Sequence, residues 1–158
     1  MPSAAATTAP EPQPTTIEER MTRLHAHSGR GRRPYSDLVR DTLGSGETRE
    51  WGIAIEPGHC YSILAVGSPG VEDLDIYLFD PGAWQVAWDR GRDSSPVVRI
   101  CPSVAGEYRL RVKMYGGSGE YGLQVFGDVA VHANDPSTSP RPLRIAAPTG
   151  PSAEADPE

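Results

Sequence analysis

Asp73-Leu74-Asp75-Ile76-Tyr77-Leu78-Phe79-Asp80-Pro81 alternates apolar and polar positions, with Leu74, Ile76 and Leu78 on one side and a proline turn at its end. Gly106-Glu107-Tyr108-Arg109-Leu110-Arg111-Val112-Lys113-Met114 repeats the pattern through Tyr108, Leu110, Val112 and Met114. A period of two, bounded by turn residues, marks strands with one face on a core and one in water. The expected fold is all-β: a single antiparallel β-sandwich, jelly-roll-like, with a short N-terminal helix and disordered tails.

The neighbouring sequence extends this reading. Residues 48–55 alternate with Trp51, Ile53 and Ile55 inward, after a Gly44-Ser45-Gly46 turn that closes a strand over 36–43. Residues 60–66 are apolar on both faces, which suits a central strand covered on both sides. Further strands are expected over 73–79, 84–88, 96–101, 107–114 and 121–126. Between the last two, Tyr115-Gly116-Gly117-Ser118-Gly119 reads as a hairpin loop. Upstream, Thr15 with Glu18 or Thr16 with Glu19 has capping-box spacing, and Ile17, Met21 and Leu24 fall at i, i+4 and i+7 of a short helix. Three apolar residues make a stripe too narrow to hold a helix alone in water. It must dock on the sandwich, dock on a partner, or fray.

The 158 residues include 17 glycines and 16 prolines, and the prolines crowd both ends. The division expected is a disordered segment over 1–14, the helix and a Gly/Arg linker over 15–34, the sandwich over 35–127, and a Pro-rich flexible tail over 128–158. Within that tail, 143–147 is the one piece that could add to a sheet edge. A net charge of −6 argues against nucleic acid as a partner, because phosphate backbone wants a basic face. Arg30, Arg32 and Arg33 read as a solvated connector. No apolar run is long enough to form a transmembrane segment.

Cys60 and Cys101 each sit in an expected strand, with no spacing that suggests zinc. If paired, they close a loop of about 40 residues and call for an oxidising compartment. The expectation is then an exported protein, periplasmic, cell-surface or extracellular, whose signal was removed. The alternative is two buried thiols in the cytosol.

The segment from about Leu43 to Phe126 resembles the bacterial pre-peptidase C-terminal (PPC) domains, β-sandwich modules appended to secreted proteases and other exported proteins. The resemblance is carried by the Gly58 turn, the Asp73-Leu74-Asp75-Ile76-Tyr77-Leu78 strand, the Asp80-Pro81-Gly82 turn, and the strands Gly106-x-Tyr108-x-Leu110-x-Val112 and Tyr121-x-Leu123-x-Val125. It covers a little over half of the chain. Gly82-Ala83-Trp84 departs from the usual spacing after the turn, and a catalytic domain is missing. The resemblance implies the fold and export, together with a role in secretion, anchoring or matrix binding.

Catalysis finds little support in the residues. A serine nucleophile needs a histidine base within reach, yet of His25, His27, His59 and His132 only His59 falls in the expected sandwich, and there is no Gly-x-Ser-x-Gly elbow. No cofactor is expected. Calcium is the one metal these residues suggest, through Asp73 and Asp75 or through the Asp89-x-Gly91-x-Asp93 loop, which lacks the acid that would complete an EF-hand. Trp84, Trp88 and Tyr77 could stack a sugar or peptide, with Trp84 and Trp88 read as sharing one face of a strand. Two functions follow. The first is a non-enzymatic accessory module that binds a protein partner through its surface or through Ile17, Met21 and Leu24, as an adaptor in an envelope, secretion or extracellular assembly. The alternative is a carbohydrate- or matrix-protein-binding module using the aromatics, with or without calcium.

Overall fold

The computed structural model describes residues 16–128 and 143–145. The expected disorder of 1–14, and that of the C-terminal tail apart from these few residues, lies outside the described residues. Chain order runs α1 (Ile17–Ser28), β1 (Arg33–Pro34), β2 (Val39–Leu43), β3 (Thr48–Ile55), β4 (Tyr61–Gly67), β5 (Val71–Phe79), β6 (Gln85–Asp89), β7 (Val97–Ile100), β8 (Gly106–Gly117), β9 (Gly119–Gly127) and β10 (Arg144–Ile145). One antiparallel sheet, A, has the order β2-β9-β4-β7, with β1 beside β2 on the same edge of β9. The other, B, has the order β10-β3-β8-β5-β6. Without β1 and β10 these are the two four-stranded orders of a jelly roll. The short strand at Arg144–Ile145 adds to the β3 edge, within the 143–147 piece singled out above.

Alternation puts the apolar residues of both sheets face to face. Leu74, Ile76 and Leu78 of β5 and Leu110, Val112 and Met114 of β8 meet Ile63, Ala65, Leu123 and Val125 of sheet A, all buried. Polar groups between the sheets are paired, as burial requires. The Trp51 indole N–H donates to the Tyr121 hydroxyl (2.9 Å), which donates to Asp41 (3.3 Å); Arg49 donates to the same carboxylate (2.7 Å). At the other end of sheet A, the Tyr35 hydroxyl donates to the Ala54 carbonyl (2.8 Å).

The helix settles one open question. Thr16 and Glu19 form the capping box, and α1 docks on the outer face of sheet A. Ile17 and Met21 are buried there with Leu64, Val66 and Phe126, and Leu24 packs at the margin. Gly122 of β9 allows this close approach, because a Cβ there would collide with Ile17. His25 lies flat on Phe126 with ring centroids 4.1 Å apart, and its Nε2 donates to the Arg32 carbonyl (2.7 Å). Arg32 in turn donates to Ser62 (2.7 Å), so the linker is tied to the sheet rather than freely solvated. Ile17, Met21 and Leu24 therefore form an internal contact. They are not a face offered to a partner, because the apolar outer positions of β4 give the stripe something to cover within the chain.

A second expectation is corrected at Tyr115–Gly119. β8 belongs to sheet B and β9 to sheet A, so this segment is a corner between sheets and not a hairpin. Gly117 has φ of 79°, which a side chain would strain.

Candidate binding site

With sheet A covered by α1, the outer face of sheet B is the broad sheet surface left open among the described residues. Asp73, Asp75, Tyr77 and Phe79 project outward from β5, opposite the inward set Leu74, Ile76 and Leu78. From β8 come Arg109, Arg111, Lys113 and Tyr115. β6, at the edge, contributes Trp88, which is directly paired with Tyr77. Asp73, Asp75, Tyr77, Trp88, Arg111, Lys113 and Tyr115 wall a groove of about 880 Å³, to which Arg90 and Arg92 are added by the segment after β6, while Phe79 and Arg109 lie in a separate, smaller cavity beside Glu50.

The expected aromatic pair is divided by an irregularity. Tyr77 pairs with Trp88, Leu78 with Ala87 and Phe79 with Gln85, which leaves a bulge at Val86. An extra residue shifts everything before it to the other face. Gln85 and Trp88 consequently share the groove face, and Trp84 lies off it despite being 74% exposed. Trp88 is 50% exposed.

Asp75 is the least ordinary group in the groove. It is only 4% exposed, and Oδ1 of Asp75 and Oδ1 of Asp73 are both buried without a hydrogen-bond partner. The Tyr77 hydroxyl reaches Asp75 Oδ2 only at 3.5 Å. Burial, and then the neighbouring Asp73 carboxylate, push the Asp75 carboxyl up to about 6. Lys113 stands opposite Asp75 on β8, but its ammonium rests over the Tyr115 ring, 5.2 Å from the centroid. The Arg111 guanidinium is held by Glu50 (3.0 Å) and lies over Phe79.

Because the folded value for Asp75 exceeds the unfolded one, its proton stabilises the fold at low pH, and that contribution is lost as pH rises through about 6. Asp75→Asn mimics the protonated form. It is expected to match the parent near pH 4 and to be more stable above pH 7, by about 1–2 kcal/mol after allowing for solvent in the groove. Thermal unfolding across this range checks the sign, and a parent more stable than the variant at neutral pH would refute it.

The calcium candidates separate. Both Asp89 oxygens accept backbone N–H groups, from Gly91 and Val97 (2.9 Å each), and Asp93 Oδ1 accepts from Ser95 (2.9 Å). This loop uses its acids to fold itself and to present Arg90 and Arg92. Asp73 and Asp75 do lie together, but among the described residues no group of three or more His, Cys, Asp or Glu is placed to hold a metal. His59 faces Asp128 (3.4 Å), away from the groove, and His132 lies outside the described residues. Cys60 and Cys101 are joined in a disulfide that links the start of β4 to the end of β7. Among the described residues, no helix is long and apolar enough to cross a membrane.

No protein-family model matches the chain, and no curated protein does. Among solved structures it is similar to a periplasmic inhibitor of g-type lysozyme from Aeromonas hydrophila, at 16% identity and a TM-score of 0.48, covering 60% of this chain and 87% of that one. It is also similar to the pre-peptidase C-terminal domain of a collagenase from Bacillus anthracis, at 18% identity and a TM-score of 0.48, covering 57% and 88%.

Sequence reasoning found Tyr77, Trp88, Asp73 and Asp75. Arg90, Arg92 and Tyr115 carry no such mark in the sequence and enter the groove only through the fold. The missing signal is β6 running beside β5, which brings the segment after Asp89 over the strand that carries Asp75.

Proposed function

We propose that this chain is a non-catalytic, exported accessory module that binds its partner through the outer face of sheet B. The observation carrying this reading is the asymmetry of the sandwich: α1 seals one outer face, while the other carries exposed aromatics beside charged groups in an open groove. Concave sites with a few convergent polar groups are where ligands bind. The disulfide supports export, since such bonds persist in oxidising compartments. The role fitting these features is that of an adaptor in an envelope, secretion or extracellular assembly.

Co-sedimentation with the insoluble envelope and extracellular polymer fraction of the native host tests this. The parent is expected to pellet with that fraction. Trp88→Ala should weaken the association roughly tenfold, as an exposed aromatic anchor does. Arg23→Ala, on the solvent side of α1, should leave it unchanged. Equal binding by the parent and Trp88→Ala would refute the assignment to sheet B.

A further inference from the structure

We propose that the groove on sheet B is a site for an acidic polysaccharide, an inference that rests on the reading of that face as the binding surface. Its floor is rich in acceptors and poor in donors: the Asp73 and Asp75 carboxyls face each other, and the Tyr77 hydroxyl reaches Asp75 Oδ2 only at 3.5 Å. Asp75, 4% exposed, and Asp73 each keep a buried Oδ1 without a partner. Leaving a buried acceptor unsatisfied is costly, so a ligand that brings donors gains by filling the position.

The rest of the groove narrows the kind of donor. A divalent cation such as calcium takes six to eight oxygens, and this floor offers two carboxyls flanked by cations. A lysine or arginine from a partner protein would meet Lys113, Arg90, Arg92 and Arg111 on the way in. Hydroxyl groups carry no such penalty, and they can donate to both aspartates.

The walls supply two further constraints. Tyr77 and Trp88 form a cross-strand aromatic pair on one side, and Tyr115 stands on the other. Such rings suit a ligand with flat, weakly polar C–H faces, as pyranose rings have. Arg90 and Arg92 have no ion-pair partner among the described residues, and Lys113 is engaged only with the Tyr115 ring. Cations gathered on a protein of net charge −6 call for anionic groups on the ligand. Hydroxyl donors, stacking faces and repeated negative charge occur together in uronic-acid and sulfated polysaccharides.

Quenching of tryptophan fluorescence on titration with short oligogalacturonates tests the proposal, with a sulfated oligosaccharide run in parallel to separate carboxylate from sulfate recognition. Saturable binding that weakens with added salt is expected. Methyl-esterified oligogalacturonate, with the same rings and no charge, should bind roughly tenfold more weakly, as should the parent ligand to Arg90→Ala/Arg92→Ala. The latter changes are confined to an exposed loop and leave the core intact. Calorimetry with Trp88→Ala supplies a readout independent of its fluorescence, and a loss of similar size is expected. Polyglutamate binding as tightly as the acidic sugars would overturn the inference in favour of an acidic peptide. Failure of both acidic glycans to bind would overturn it as well. In either case, co-sedimentation that still depends on Trp88 would leave the broader reading of this face standing.

Discussion

Replacing both Cys60 and Cys101 with alanine is expected to lower the unfolding free energy by about 4 kcal/mol, the entropy that a cross-link spanning 41 residues removes from the denatured chain. A loss of that size is a large fraction of what holds a domain of this size folded. The bond lies where β4 and β7 already pair, since Tyr61 opposes Ile100 and the cysteines flank that pair. β7 is a four-residue edge strand, and it follows the loop that carries Arg90 and Arg92. Without the bond, this edge should open first and the arginines should lose their fixed position over the groove. Urea unfolding of the parent and the double variant measures the first effect. Amide exchange at residues 97–100 measures the second. A stability change below about 1 kcal/mol would contradict the argument.

Leu64→Ala should cost about 3 kcal/mol and also release the helix. Leu64 is fully buried on the outer side of β4, beneath α1 and in one cluster with Ile17, Met21 and Phe126. A 12-residue helix is marginal in isolation, so its order depends on this packing. Ile63→Ala is the informative comparison. Ile63 is equally buried but faces the interior of the sandwich, so its truncation should cost a similar amount and leave α1 docked. Amide exchange across residues 17–28, measured alongside denaturation, separates the two. If both variants protect the helix equally, α1 is held by something other than the outer face of β4.

Thr48–Ile55 was delimited from the sequence to the residue, because Trp51, Ile53 and Ile55 alternate cleanly between turn signals. Residues 60–66 were recognised as covered on both faces because Leu64 and Val66 stand out of phase with Ile63 and Ala65. The aromatic site was half legible. Trp88 and Tyr77 share the groove, whereas Trp84 was misplaced because a bulge leaves no mark in a pattern counted by twos. Arg90, Arg92, Lys113 and Asp75 were each visible as residues, yet their meeting was not, since it depends on β8, β5 and β6 lying side by side.

Local sequence was enough to place the longer strands, most of their inward side chains and turns, a capped helix ahead of them and two cysteines 41 positions apart. These are local properties, written in side-chain alternation and turn chemistry. The sheet to which each strand belongs, the helix's seat on sheet A and the assembly of a groove from three strands and a loop arise from tertiary packing. The inner faces of two packed sheets have the same apolar pattern. Sheet membership therefore follows from the packing of distant segments, and Tyr115–Gly119 turns a corner between sheets where its glycines alone suggest a hairpin.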